Sequence, residues 1–313
     1  MKITVSAPGK IHLSGLHAVV AGKPAVLVST SLRLYVTLSD TAGKPFIPVT
    51  DFRKENKYFN AIVETFERIH KTKIKDIFIG ISSDIPVSKG MGSSAALAVA
   101  TIGALYGYTK LPWVVKEINE AAFQAEKAQH ITPSGGDNTI VSFGGLLWYR
   151  KELEFLKTFW LLPFKLPKDF KPFVLINTGR EESSGEIITF VVKQKESIKK
   201  PIFDQMEAAA KILTLAIKEE NETDFRRAIK INEDCLEKLG VVSAPVKKMI
   251  REIEKSGGVA KITGAGGWKN GSGVVAATHD DPKVLIKIAK THGFPSFQVQ
   301  LGGEGVRREQ MVI

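Results

Sequence analysis

Three glycine-rich segments and two carboxylates in this chain are of types and spacings that could do chemistry on an anion. The most informative runs Pro86-Val87-Ser88-Lys89-Gly90-Met91-Gly92-Ser93-Ser94-Ala95-Ala96, between an expected strand and an alanine-rich helical stretch. Glycines let backbone N–H groups approach a phosphate closely, and a helix N-terminus adds the positive end of its dipole. Ser93 and Ser94 can cap that helix or offer hydroxyls to phosphate or Mg²⁺. The spacing matches neither GxxxxGK[ST] nor GxGxxG. A glycine turn before a capped helix is the plain alternative. The string Gly-x-Gly-Ser-Ser-Ala-Ala leading straight into a buried helix favours anion binding.

The segment from Ala7 to Val20 sets Lys10 after Pro8-Gly9 and His17 soon after Gly15. Alone, it reads as a turn, a solvated lysine and a packed histidine. The third segment, Lys261 to Gly273, carries five glycines between Gly264 and Gly273. That is more than a hairpin needs, so a loop lining a ligand competes with a flexible one. Glu126 falls four residues after Ala122 and eight after Ile118, along the apolar side of an expected helix. A carboxylate there sits at a fraying end by default, or else pairs with a cation or a metal. Asp137, in Pro133-Ser134-Gly135-Gly136-Asp137-Asn138, reads first as a turn residue.

The elements that must position these residues follow from periodicity. Strands are expected at Ile3 to Ala7, Ala25 to Leu38, Ile77 to Ser82, Gly144 to Tyr149, Phe173 to Asn177, Val259 to Thr263, Gly273 to Thr278 and Phe297 to Leu301. Helical spacing marks 56–70 through Phe59, Ile62, Val63, Phe66 and Ile69, then Ala95 to Tyr108 and Trp113 to His130. Further helices are expected at Phe203 to Lys218, at Phe225 to Leu239 with Gly240 as its C′ residue, from Pro245 to near Gly257, and from the Asp281-Pro282 cap to Thr291. Lys151 to Pro172 reads as irregular. The expected class is α+β in two domains, 1–168 and 169–313.

Composition bounds the partners. The chain has 313 residues, 43% hydrophobic and 25% charged, which is ordinary for a folded protein with a large core. A single cysteine, Cys235, excludes an internal disulfide framework, and no Cys/His pairs have zinc spacing. The net charge of +11 favours anionic partners. The basic residues are scattered, and the clusters at Lys71 to Lys75, Lys193 to Lys200 and Arg307–Arg308 lack interleaved aromatics, so no nucleic-acid partner is expected. The apolar run Ala95 to Leu105 is too short for a membrane span, and the first residues do not resemble a signal peptide. The expectation is a soluble cytoplasmic protein.

Taken together, the segments resemble the GHMP kinase superfamily, and within it the mevalonate kinases. The first motif of that family looks like Ala7-Pro8-Gly9-Lys10 continuing to Gly15-x-His17-Ala18-Val19-Val20-x-Gly22. Its second is matched at Pro86 to Ala95, with Met91 for leucine, and its third at Lys261 to Gly267. The Glu126 and Asp137 segments, Leu239-Gly240-Val241-x-Ser243 and Glu304-Gly305-Val306-Arg307 are similar to family segments too. Two departures stand out: Leu16 replaces the family's glutamate before the histidine, and Trp268-Lys269-Asn270 looks like an insertion.

The resemblance implies an N-terminal ribosomal-protein-S5-like domain and a C-terminal ferredoxin-like domain. It implies transfer of the ATP γ-phosphoryl to the 5-hydroxyl of mevalonate, with Mg²⁺ as cofactor and a homodimer as the assembly. By the same resemblance Asp137 is the base, and Lys10 stabilises it and the attacking oxygen. Lys89, Gly90, Met91, Gly92, Ser93, Ser94, Ala95 and Ala96 cradle the nucleotide. Ser94 and Glu126 hold Mg²⁺, with Ser93 the second choice for the hydroxyl. His17, Lys10, Asp137 and Thr263 face the acceptor, and Thr263 to Gly267 buttress the phosphate loop. Phosphomevalonate kinase, mevalonate 3-kinase, another GHMP acceptor and a catalytically dead binding protein stay open as alternatives at this stage.

Overall fold

A computed structural model describes residues 1–86, 90–127, 135–153, 156–167, 170 and 172–310. In chain order the elements are β1 (Lys2–Ser14), β2 (Ala25–Ser39), β3 (Ile47–Pro48), α1 (Val49–Glu55), α2 (Lys57–His70), β4 (Phe78–Ser83), α3 (Ser93–Tyr108), α4 (Val115–Lys127), α5 (Gly136–Phe143), β5 (Leu146–Lys151) and β6 (Lys157–Leu161). They continue as β7 (Phe173–Asn177), α6 (Ser184–Val192), α7 (Glu196–Lys218), α8 (Glu222–Lys238), α9 (Ala244–Lys255), β8 (Val259–Ile262), β9 (Val274–Thr278), α10 (Pro282–Thr291), β10 (Ser296–Val299) and β11 (Arg307–Arg308).

Two antiparallel sheets organise the chain. The first runs β11-β1-β2-β4-β3, and β5 joins the other end of β2 and carries β6. The second has the order β10-β7-β9-β8. Numbered within that half, this is 4-1-3-2, the antiparallel order of a ferredoxin-like sheet. The last strand, β11, returns the chain to the first sheet. The domain boundary expected at 168/169 falls outside the described residues.

α3 explains the first layer. It is apolar on every side, and from Ala95 to Gly107 all its residues except Leu97 are buried. Such a helix must be covered on all faces, so it lies centrally, against β1, β2, α2, α4 and α5. α2 is capped by Asn56, whose side chain accepts from the Phe59 N–H at 2.9 Å. It buries Phe59, Ile62, Val63 and Phe66, while Ile69, counted on that face by periodicity, is exposed. The second core lies under β7, β8 and β9, with α8 and α9 supplying Cys235, Leu236, Val246, Met249 and Ile250. Gly240 takes the left-handed conformation after α8, and Asp281 caps α10 as the sequence suggests.

Three expectations are corrected. Pro8-Gly9 is no turn: β1 runs unbroken to Ser14 and absorbs the pair as a slip in its register with β2 between Pro8 and Lys10. The stretch read as irregular holds β6, paired with β5 from Lys151↔Lys157 to Leu147↔Leu161. α7 starts seven residues early, at Glu196, and tolerates Pro201 inside it. Among the described residues no helix is long and apolar enough to cross a membrane.

Candidate active site

Lys10 and Asp137 meet. The Lys10 Nζ lies 3.0 Å from Asp137 Oδ2. Lys10 is only 4% exposed. A buried ammonium needs a compensating anion, and α5 provides it: Asp137 sits in its first turn, right after Gly135 in the left-handed conformation. The turn expected around Asp137 is therefore a helix start, and the helix dipole also favours a carboxylate there. Burial opposes the charge on Asp137, but Lys10 and then His12 hold its carboxyl far below the ordinary carboxylate range.

The phosphate-loop candidate packs on this pair. Gly92, at φ 74, precedes α3, and a Cβ there would come within 2.8 Å of the Lys10 Cγ. The Lys10 N–H donates to the Met91 carbonyl at 2.9 Å, which fastens the loop to β1. Met91, Ala95 and Ala96 are buried, Ser94 is exposed, and the Ser93 Oγ is buried without a hydrogen-bond partner among the described residues. Lys89 lies outside the described residues. Gly90 backs onto the third glycine segment: a Cβ on it would approach the Gly264 Cα to 3.2 Å.

That third segment is a packed loop. Residues 264–267 and 271–273 are buried, and only Trp268, Lys269 and Asn270 project. Glu182 holds the projection, accepting from the Trp268 N–H at 3.2 Å and the Lys269 N–H at 3.0 Å. His17, at φ 67, donates from Nε2 to the Ala265 carbonyl at 2.8 Å, leaving Nδ1 as its acceptor nitrogen. A non-glycine residue in that conformation is strained, which the surrounding packing must sustain. Burial, followed by the charge of Lys261, pushes His17 down to about 4, so it is neutral at pH 7. Thr263 is fully buried and its hydroxyl donates to the Val274 carbonyl at 3.0 Å, so its side chain is committed to the strand pair. Leu16 is partly buried against the second core.

Glu126 is not at a frayed, solvated end. It is 5% exposed, and burial, then the nearby Asp137 charge, push its carboxyl up to about 8. Among the described residues no cluster of three His, Cys, Asp or Glu side chains could hold a metal. A phosphate-borne Mg²⁺ needs no such cluster, because it usually takes one or two protein oxygens and keeps its phosphate and water ligands.

Two residues escaped the sequence reading. His12 is two positions from Lys10 on β1, and its Nε2 lies 3.7 Å from Asp137 Oδ1. Arg180 packs beside the third loop, where a Cβ on Gly267 would come within 3.2 Å of its Cγ. Among the described residues its Nε and Nη1 are buried without partners, and Nη2 donates to Ser184 Oγ at 2.9 Å. Strand alternation could have flagged His12 once Lys10 was placed. Nothing local distinguishes Arg180 from the chain's other arginines.

Comparison with known proteins bears on this geometry. Residues 57–145 match the family described as GHMP kinases N terminal domain. The mevalonate kinase of Archaeoglobus fulgidus is 32% identical, covering 97% of this chain and 99% of that protein. That of Thermococcus sibiricus is 30% identical, with both chains covered in full. Among solved structures, Methanococcus jannaschii mevalonate kinase superposes with a TM-score of 0.82 at 22% identity, covering 97% of this chain and 99% of that one.

Proposed function

The chain belongs to the mevalonate kinases of the GHMP kinase superfamily, and we propose from that membership and the site geometry how its residues perform the reaction. The activity is ATP-dependent phosphorylation of the 5-hydroxyl of mevalonate, giving 5-phosphomevalonate and ADP. The observation that carries the assignment of roles is the Lys10–Asp137 pair, 3.0 Å apart and packed against the glycine loop that opens α3.

Phosphoryl transfer asks a protein for alignment and charge stabilisation more than for covalent chemistry. Asp137 accepts the proton of the acceptor hydroxyl. Its low basicity suits a loose transition state, in which the hydroxyl is activated late. Lys10 keeps Asp137 ionised and neutralises charge on the attacking oxygen. Residues 90–96, with Lys89, bind the nucleotide phosphates at the start of α3, and the 264–267 loop fixes that turn from behind. His17 and Arg180 receive the acceptor, Arg180 offering unpaired guanidinium nitrogens to its carboxylate. Thr263 is assigned to holding the loop.

The residues present fit Mg²⁺. The Ser93 Oγ is buried without a partner among the described residues, and a buried carboxyl, Glu126, feels the Asp137 charge. Both observations support reading this place as a site for a cation. Glu126 would hold the ion together with a hydroxyl of the Ser93–Ser94 pair, Ser94 being the one the family resemblance names and Ser93 the one that is buried without a partner among the described residues. When bound it would offset phosphate charge. We place the enzyme in the cytoplasm, as two halves at 1–168 and 169–313. We propose a homodimer through the first sheet, where β6 pairs only with β5 among the described strands and exposes Trp160 and Leu161.

A coupled ADP-release assay with mevalonate, phosphomevalonate and homoserine tests the reading. Mevalonate should be preferred. Faster turnover of either other acceptor would overturn it.

A further inference from the structure

We propose that His12 is a positioning residue for phosphoryl transfer: its Nε2–H holds Asp137 Oδ1 while Lys10 holds Oδ2, so the base is gripped at both oxygens. The proposal rests on the reading of Asp137 as the base.

The strand supplies the geometry. Residues two apart on β1 point to the same side, so Lys10 and His12 both reach the start of α5. Their contacts divide the carboxylate: Lys10 Nζ is 3.0 Å from Oδ2, and His12 Nε2 is 3.7 Å from Oδ1. The second distance is longer than a formed hydrogen bond. In proteins without substrate, catalytic hydrogen bonds are often long and tighten when the complex assembles.

The tautomer follows from the surroundings. His12 Nδ1 is buried and has no hydrogen-bond partner among the described residues. A proton on Nδ1 would strand a buried donor and turn the lone pair of Nε2 toward a carboxylate. A proton on Nε2 faces the carboxylate and leaves only an acceptor unpaired, which is the cheaper arrangement. The ring is neutral: burial and then the Lys10 charge push it to about 4. The charged or titratable groups around it are Lys10 on β1, Asp137 on α5 and Lys261 on β8, and of these only the Asp137 carboxylate can accept a hydrogen bond from the ring.

The root of the side chain is also fixed. Lys261, fully buried on β8, donates from Nζ to the His12 carbonyl at 2.9 Å. One bond thus ties the second sheet to the strand residue that grips the base. A carboxylate held by a single lysine can rotate about its last bond. Held at both oxygens, it keeps one lone pair aimed at the acceptor hydroxyl. The expected signature is therefore in kcat, with KM for either substrate little changed.

The test is a double-mutant cycle on the full-length enzyme, with His12→Phe, Asp137→Asn and the double variant, plus His12→Gln, whose amide nitrogen can reach the place of Nε2. His12→Phe should lower kcat roughly 5- to 30-fold and move both KM values by less than about threefold. His12→Gln should recover most of the loss. In the Asp137→Asn background, His12→Phe should have no further effect. The proposal is overturned if folded His12→Phe keeps kcat within about threefold of wild type. It is equally overturned if Gln does no better than Phe, or if the two effects multiply. Should His12→Phe not fold, the Gln variant and its double with Asp137→Asn decide the question by the same criteria. If Asp137→Asn alone retains wild-type turnover, the base assignment itself is wrong and the positioning role falls with it, a failure visible without any His12 variant.

Discussion

Replacing Glu126 by glutamine should stabilise the metal-free protein at alkaline pH while weakening its use of Mg²⁺. Glu126 is 5% exposed, and its carboxyl is pushed from an ordinary 4.5 to about 8 by burial and then by Asp137. The folded state therefore holds a proton that the unfolded chain gives up. With the folded pKa above the unfolded one, stability is complete below about 4.5 and declines as pH rises toward 8. Each pH unit in that window withdraws at most about 1.4 kcal/mol, so the whole span sets an upper bound of about 5 kcal/mol. Glutamine imitates the protonated acid and carries no such penalty. Denaturant unfolding in the presence of a chelator at pH 5, 6.5 and 8 reads the effect: the midpoint of Glu126→Gln should exceed that of wild type by a margin that grows with pH. The same variant should need more Mg²⁺ for half-maximal activity, because a neutral amide is a poorer ligand for a hard cation. A midpoint difference that does not vary with pH would refute the protonated carboxyl, and an unchanged Mg²⁺ titration would remove Glu126 from the metal site.

Three further changes probe other parts of the site. Asp137→Asn should lower kcat by about 10²–10⁴-fold, and it should also lower Tm, because it leaves buried Lys10 without its counter-ion. The stability cost should fall below the ~3–5 kcal/mol of a fully buried pair, since the Asp137 side chain is 37% exposed; turnover within threefold of wild type would refute the base assignment. Leu16→Glu should cost about 1–3 kcal/mol by setting a carboxylate against the second core, yet retain mevalonate as acceptor; calorimetry and the acceptor panel check both parts. Gly266→Ala should destabilise by more than about 2 kcal/mol, because its φ of 91 is left-handed and the new Cβ would lie 2.1 Å from the Val241 carbonyl oxygen; an unchanged denaturation midpoint would contradict the packed loop.

Local order was readable at several places where its cause was local, although the Ser183–Glu186 capping box that starts α6 went unread. Pro245 and Asp281 sit at helix starts, and Gly240 just past a helix end, because caps and breakers act over a single turn. α3 was legible because an apolar alanine-rich run has no solvent face to offer. The glycine segments showed where backbone comes close to something, and their order along the chain carried the family resemblance. Pro8-Gly9 misled because its turn preference is a property of two residues, whereas β1 is held by pairing along its length with β2, which accommodates them as a slip in register. β6 was missed for a related reason: a strand of five residues that pairs with β5 alone among the described strands has little periodic signal of its own. The site itself belongs to tertiary structure. That Lys10 is buried rather than solvated follows from Asp137 arriving opposite it on α5 and from Gly92 lying against its stem. His12 became visible when Asp137 arrived beside it, and Arg180 when burial showed which of its nitrogens lack partners among the described residues. The sequence determines which residues can form strands, caps and close turns. Which side chains converge is decided by register, packing and the demand that buried charge be compensated, because those forces act between segments far apart in the chain.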